Sequence, residues 1–252
     1  MNGPTTIEFV DVQYRINSRV LLADFTLSVQ SGEILMLLGP SGSGKTTSLR
    51  LINRMLVPSG GSVRVEGKST GDWDPIQLRR HIGYAIQEGG LFPHYTVWKN
   101  VALVPKLQGW EPKRIAPRVE EVLQMVGLPL GEFGERYPDQ LSGGQRQRVG
   151  LARALAADPP ILLMDEPFGA LDPMIRGELQ KEFKQLQRRL NKTVVFVTHD
   201  VTEALLLGDR IALMADGSLH GLYAPRDFLA SNDAAVKPYL DAFRTVQQVL
   251  QS

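Results

Sequence analysis

Three short apolar runs limit the folds open to this chain. Ile34-Leu35-Met36-Leu37-Leu38, Ile161-Leu162-Leu163-Met164 and Val194-Val195-Phe196-Val197 are continuously apolar rather than alternating. Strands of that kind are buried on both faces, as in a parallel sheet covered by helices. Each run ends in polar residues: Gly39 onward, Asp165-Glu166, and Thr198-His199-Asp200. In open α/β sheets, ligands bind at the carboxyl ends of the strands. The three runs therefore predict a fold class and also where its chemistry lies.

Helical patterns fall between them. Ile175, Leu179, Phe183, Leu186 and Leu190 recur at helical spacing as one apolar stripe. Lys181, Lys184, Arg188 and Arg189 lie mostly off it and read as a solvated face. Ile115, Val119, Val122, Leu123 and Val126 predict a second helix ended by Gly127, with Pro117 obscuring where it starts. Near the N-terminus, residues 7–12 and 25–29 alternate as strands do, and residues 62–66 follow a glycine pair. The segment after about Asp233 reads as helical.

The composition narrows the function. Charge is balanced at +1, from 28 basic and 27 acidic residues, which gives no electrostatic case for nucleic acid. With no cysteine, disulfides and thiolate metal sites are excluded. The N-terminal residues lack the basic start and apolar run of a signal peptide. No apolar run approaches the roughly 18 residues of a membrane helix, so membrane association is expected only through a partner.

Gly39-Pro40-Ser41-Gly42-Ser43-Gly44-Lys45-Thr46, followed by Thr47, fits the phosphate-loop pattern between a strand and a helix. Glycines let backbone N–H groups curl around phosphate oxygens. Lys45 supplies a cation for the β- and γ-phosphates, and the Thr46 hydroxyl is a Mg²⁺ ligand. Asp165 is expected to hold Mg²⁺ through its water shell, and Glu166 to act as general base toward water. Ser142-Gly143-Gly144-Gln145 has capping-box spacing ahead of a helix expected from about Gln145 to about Ala157. A capped helix N-terminus also presents N–H groups to an anion, so capping and phosphate binding are compatible readings of Ser142. No H-E-x-x-H or C-x-x-C metal spacing occurs.

The phosphate loop and the later Leu141-Ser142-Gly143-Gly144-Gln145 together resemble the ATP-binding subunits of ABC transporters, and the resemblance runs from about Thr6 to about Phe243. It implies a P-loop NTPase core with a mainly parallel sheet, an N-terminal antiparallel β sub-domain and an inserted helical sub-domain. The expected division of the single domain 1–252 is core at about 1–87 and 159–225, helical sub-domain at 88–158, and tail at 226–252. The resemblance also supplies roles. Gln87 would be the glutamine that reaches Mg²⁺ and water, and His199 the switch histidine at the γ-phosphate. Tyr14 would stack on adenine, although a sheet-packing tyrosine reads the same way. Asp172 would lie at a dimer interface. The implied assembly is a head-to-tail dimer in which Ser142 to Gln145 of one chain close over ATP held by the other. It would sit on the cytoplasmic face of the membrane with permease subunits, served by an extracytoplasmic solute-binding protein.

A narrower resemblance spans residues 75 to 110. Residues 75–84, Gly90-Leu91-Phe92-Pro93-His94, residues 103–107 and Trp110 look like importers of osmoprotectants such as glycine betaine, choline or carnitine. Asn53-Arg54-Met55 and residues 192–200 agree with that subgroup. Some of its members carry C-terminal CBS domains, and this chain stopping at Ser252 puts ionic-strength gating through such domains in doubt. Leu91, Phe92, Pro93, Tyr95, Val97 and Trp98 form an apolar and aromatic cluster, readable as a docking surface for a permease helix or as helical core. Two rival functions stay open: an importer of amino acids or another polar solute, and a soluble ABC ATPase acting on ribosomes or DNA.

Overall fold

The computed structural model describes residues 4–86, 90–169 and 171–251. In chain order the elements open with β1 (Thr5–Ile16), β2 (Arg19–Gln30), β3 (Ile34–Leu38) and α1 (Lys45–Ile52). Strands β4 (Gly60–Val65) and β5 (Lys68–Ser69) follow, then α2 (Pro75–His81), β6 (Ile82–Ala85), α3 (Val97–Leu107), α4 (Pro112–Met125) and α5 (Leu130–Phe133). After a 3-10 turn at Pro138–Gln140 come α6 (Gly143–Ala156), β7 (Ile161–Asp165) and α7 (Pro173–Leu190). The chain ends with β8 (Thr193–Thr198), α8 (Val201–Leu207), β9 (Arg210–Ala215), β10 (Ser218–Tyr223), α9 (Pro225–Leu229) and α10 (Lys237–Gln251). The chain divides into two compact units, residues 1–73 with 193–252, and residues 74–192.

The first unit holds an antiparallel sheet in the order β2-β1-β4-β5. Its alternating strands bury one face, where the Phe9 and Phe25 rings meet edge to face at 5.1 Å. The unit's second layer is built on β3, which runs parallel to β8 on one side and to β9 on the other. β10 returns antiparallel along β9. Every residue of β3 and β8 is buried, as continuous apolarity predicts. Leu38 pairs with Thr198, so Gly39 and His199 leave the same sheet edge from neighbouring strands.

In the second unit β6 runs parallel to β7, from Ile82 opposite Ile161 to Ala85 opposite Met164. Helices α3, α4 and α6 pack on one another around the fully buried Val101, Val119, Val122 and Val149. α4 begins with Pro112 in its first turn and contains Pro117. Pro117 and Lys113 are both exposed, so water can serve the carbonyl that Pro117 leaves without an N–H donor. Gly127 ends this segment at φ +63, as its position after the stripe predicts.

Two expectations shift. α6 starts at Gly143, ahead of the Gln145 expected from sequence, because the cap itself is Ser142. On α7, Leu179 and Phe183 are buried, but Leu190 is 37% exposed, while Gln180 and Gln187 take core positions. Gln187 belongs there because its Nε2 donates to the Lys192 carbonyl at 2.8 Å. Pairing removes the cost that otherwise keeps amides out of a core.

Candidate functional site

The first unit supplies the phosphate loop. Buried β3 delivers the chain to Gly39, and the loop turns through Gly42 at φ +83 and Gly44 at φ +97 before α1 begins. A Cβ on Gly39 would collide with the Met214 carbonyl and stand 2.9 Å from Ser43 Oγ. One on Gly44 would stand 2.6 Å from Leu22 Cδ2, so neither position admits a side chain. Gly44 caps α1 without any side-chain hydrogen bond, so the cap leaves the helix's first N–H groups to a ligand. Lys45 is 7% exposed, and its Nζ donates to the carbonyls of Gly39 at 2.8 Å and Pro40 at 2.7 Å. Ser43 Oγ is buried and has no hydrogen-bond partner among the described residues. An orphaned buried hydroxyl beside glycines and an ammonium is what a cradle for an anion presents. Pro40, Ser41 and Gly42 are exposed, and Thr46 and Thr47 are half-buried on the first turn of α1.

His199 is exposed at the end of β8, and its neighbours on both sides are pinned. Thr198 Oγ1 donates to Glu203 Oε2 at 2.6 Å and accepts from Asp200 N at 2.9 Å. Asp200 caps α8 by accepting from Thr202 N at 2.7 Å. Tyr14, half-buried on β1, pairs with Leu22, whose side chain lies against Gly44.

The second unit supplies the acidic pair and the capped helix. Asp165 is the last residue of β7 and only 4% exposed. Glu166 follows at φ +47, and its carbonyl accepts from Gly169 N at 3.2 Å and from Gln147 Nε2 at 2.8 Å. The capping box is formed: Ser142 Oγ accepts from Gln145 N at 3.2 Å, and Gln145 Oε1 accepts from Ser142 N at 2.9 Å. Ser142 and Gly143 are exposed and Gly144 is half-buried, so this helix start faces solvent. Asp172 is exposed and caps α7 by accepting from Met174 N at 3.0 Å. Gln87 lies outside the described residues.

The aromatic cluster divides between the two readings. Val97 is core, whereas Phe92 is 42% exposed and Pro93 is exposed. Rings of Phe92, His94 and Tyr95 pack against one another, with His94 and Tyr95 4.6 Å apart. Asn100 shapes this loop, and sequence reasoning missed it. Fully buried on α3, it accepts from Phe92 N and donates to the carbonyls of Phe92, Tyr95 and Thr96. Gln147 was missed in the same way. The signal in both cases is a polar residue on an apolar helix stripe: Asn100 after Val97, Gln147 ahead of Leu151 and Ala154.

Among the described residues, no group of three or more histidine, cysteine or acidic side chains could hold a metal unaided. The first unit offers the Thr46 hydroxyl and the second the Asp165 carboxylate. Each is an oxygen donor of the kind Mg²⁺ takes, an ion that keeps several waters and is shared with substrate phosphates.

Comparison with known proteins gives a consistent result. The profile of the ABC transporter family matches residues 22–169. The osmoprotectant import ATP-binding protein OsmV of Salmonella typhimurium is 48% identical over 225 residues, covering 89% of this chain and 59% of that protein. The choline transport ATP-binding protein OpuBA of Bacillus subtilis is 46% identical over 243 residues, 96% of this chain and 63% of that protein. This chain thus spans about three fifths of these two relatives. The glycine betaine uptake system ATP-binding protein YehX of Escherichia coli is 49% identical over 213 residues, 84% of this chain and 69% of that protein. Among solved structures, the dimeric bacterial ABC transporter cassette MJ0796 superposes with a TM-score of 0.81 at 36% identity, covering 87% of this chain and 99% of that one. A dimeric post-hydrolysis state of the same cassette, bound to ADP and Pi, gives 0.80 at 35%, with the same coverage of 87% and 99%.

Proposed function

This chain belongs to the ABC transporter family, and we propose that it is the ATP-hydrolysing subunit of an importer for a quaternary-amine osmoprotectant. The observation that carries the ATPase reading is the loop at residues 39–46. Its Gly39 and Gly44 exclude side chains, its Ser43 hydroxyl is buried without a partner among the described residues, and its lysine rests on backbone carbonyls that phosphate oxygens can replace. The names of the relatives carry the cargo reading, glycine betaine and choline among them.

In this reading the residues divide the work. N–H groups of residues 42–46 and the Lys45 ammonium bind the β- and γ-phosphates, and Tyr14 holds the base. Thr46, Gln87 and Asp165 are the residues that would hold Mg²⁺, which supplies charge neutralisation at the transferring phosphoryl group. Glu166 accepts a proton from the attacking water as its oxygen bonds to the γ-phosphorus and the β–γ bridging bond breaks. His199 hydrogen-bonds the γ-phosphate side. Ser142, Gly143, Gly144 and Gln145 of a second copy offer a helix N-terminus to the same phosphate, and Asp172 lies along that dimer interface.

Transport requires partners. No helix among the described residues is long and apolar enough to cross a membrane. The ring cluster of exposed Phe92 and His94 and half-buried Tyr95 fits a short helix from a permease on the cytoplasmic side, with cargo chosen by an external solute-binding protein. The deciding experiment is uptake of radiolabelled glycine betaine and choline by cells lacking this chain. Uptake restored by the wild-type chain and not by Glu166→Gln supports the reading. Uptake that never depended on the chain rejects the cargo. A protein recovered with RNA and not with membranes rejects transport.

A further inference from the structure

We propose that Gln147 is a positioning residue for Glu166, through which helix α6 sets the backbone of the general base in its own chain. The inference rests on the reading of Glu166 as base and deepens it. Glu166 stands at φ +47, a conformation that a residue with a side chain keeps only when its surroundings fix it. Among the described residues, two donors do so at its carbonyl: Gly169 N–H closes the local turn at 3.2 Å, and Gln147 Nε2 arrives from α6 at 2.8 Å. A backbone carbonyl only accepts, so the amide nitrogen of Gln147 must be the atom that faces it. Gln147 is 4% exposed and packed in the helix's buried face, which leaves its amide little freedom to turn elsewhere. The turn it braces also carries the carboxylate, since a Cβ on Gly169 would stand 3.8 Å from Glu166 Oε2. Removing the amide donor takes away the shorter of these two bonds, leaves the local turn closed by Gly169 N–H, and so loosens the Glu166 peptide plane and with it the aim of the carboxylate.

The same helix begins at Ser142. Gln147 follows that cap by five residues, about 7.5 Å along a helix. In the composite-site reading, the cap meets the nucleotide of a second copy. A rigid shift of α6 on that nucleotide then moves the donor on the Glu166 carbonyl. Each chain's base thereby responds to occupancy of the neighbouring site.

The test compares ATP hydrolysis by the full wild-type chain with Gln147→Met, Gln147→Glu and Glu166→Gln, as kcat and KM from about pH 6 to about pH 8.5. Gln147→Met keeps length and apolar fit but has no donor. Its kcat falls about tenfold while KM for ATP stays within about twofold of wild type. Gln147→Glu donates only when protonated, a form that burial favours. Its activity relative to wild type therefore climbs as pH falls, whereas that of Gln147→Met stays flat. A merely structural role lowers both only by the fraction of protein unfolded, which circular dichroism reads at each pH, whereas the positioning role lowers kcat per folded molecule. Should Gln147→Met fail to fold, the profile of Gln147→Glu decides alone. The inference is overturned by a Gln147→Met kcat within about twofold of wild type, or by a Gln147→Glu activity ratio that does not vary with pH. Near-normal turnover in Glu166→Gln removes the reading of the base itself, and the inference with it.

Discussion

At the scale of single residues, Lys45 and Glu166 make opposite predictions. The Lys45 ammonium is nearly buried and already bonded to two carbonyls, so under the proposed function it waits in place for phosphates rather than being recruited from solvent. Lys45→Ala removes charge-assisted bonds from the ground state. ATP affinity should fall about 10- to 100-fold, measurable by titration with a fluorescent nucleotide; unchanged affinity takes Lys45 out of the site. Glu166→Gln keeps shape but not basicity. Binding should survive while hydrolysis drops roughly 10²- to 10⁴-fold, and single-turnover phosphate release separates the two. The strained backbone of Glu166 sharpens this contrast, because its conformation is set by bonds to its carbonyl, which the substitution leaves in place.

At the scale of elements, α6 organises the second unit. Arg146 donates to the Leu141 carbonyl, Gln147 to that of Glu166, Arg148 to those of Val126 and Gly127, and Arg153 to that of Gly90. Burial lowers the Arg153 pKa, but an arginine stays charged, and the Gly90 carbonyl is one partner that offsets its desolvation. Arg118 of α4 holds the helix's other end through the carbonyls of Leu155 and Ala156. The cap role and the phosphate role of Ser142 can be separated on this helix. Ser142→Ala loses the cap, costing about 1 kcal/mol and lowering Tm by about 2–4 °C. Ser142→Asp keeps the cap and the stability, yet sets a carboxylate where an anionic phosphate is to dock. Calorimetry should therefore find Ser142→Asp as stable as wild type, and an assay should find it inactive. Full activity in that variant would leave Ser142 as a cap alone. What was legible beforehand follows from range. The phosphate loop, the capping box and the acidic pair are local patterns whose chemistry is written in adjacent residues. The three buried strands were legible because a strand covered on both faces must be apolar throughout. Asn100 and Gln147 were not, because their partners are backbone carbonyls and amides that composition does not mark. The α7 stripe misled for the same reason, since Gln187 is paired where pattern reading demands an apolar residue.

At the scale of the whole molecule, the question is whether a site belongs to one chain or two. A head-to-tail pair places the loop of each chain under the capped helix of the other, so two broken chains can complement each other. Ser142→Arg leaves its loop intact and spoils its helix, and Lys45→Ala does the reverse. Homodimers of either variant then hold no working site. A mixed dimer holds one, formed by the loop of the Ser142→Arg chain and the helix of the Lys45→Ala chain. With equal mixing and independent sites, turnover should recover to roughly a quarter of wild type, because half the dimers are mixed and each has half its sites. Sites contained within one chain predict no recovery at any ratio. Coupling through Gln147 predicts recovery well below that level. The working loop belongs to the chain that carries Ser142→Arg, whose own helix cannot seat on its neighbour's nucleotide and so cannot settle the Glu166 beside it. Adding Gln147→Met to the Ser142→Arg chain should then cost little more, whereas adding it to the Lys45→Ala chain should cost nothing. Recovery to the full level of independent sites, reduced about tenfold by Gln147→Met in the Ser142→Arg chain, would keep the positioning role and discard the communication between sites.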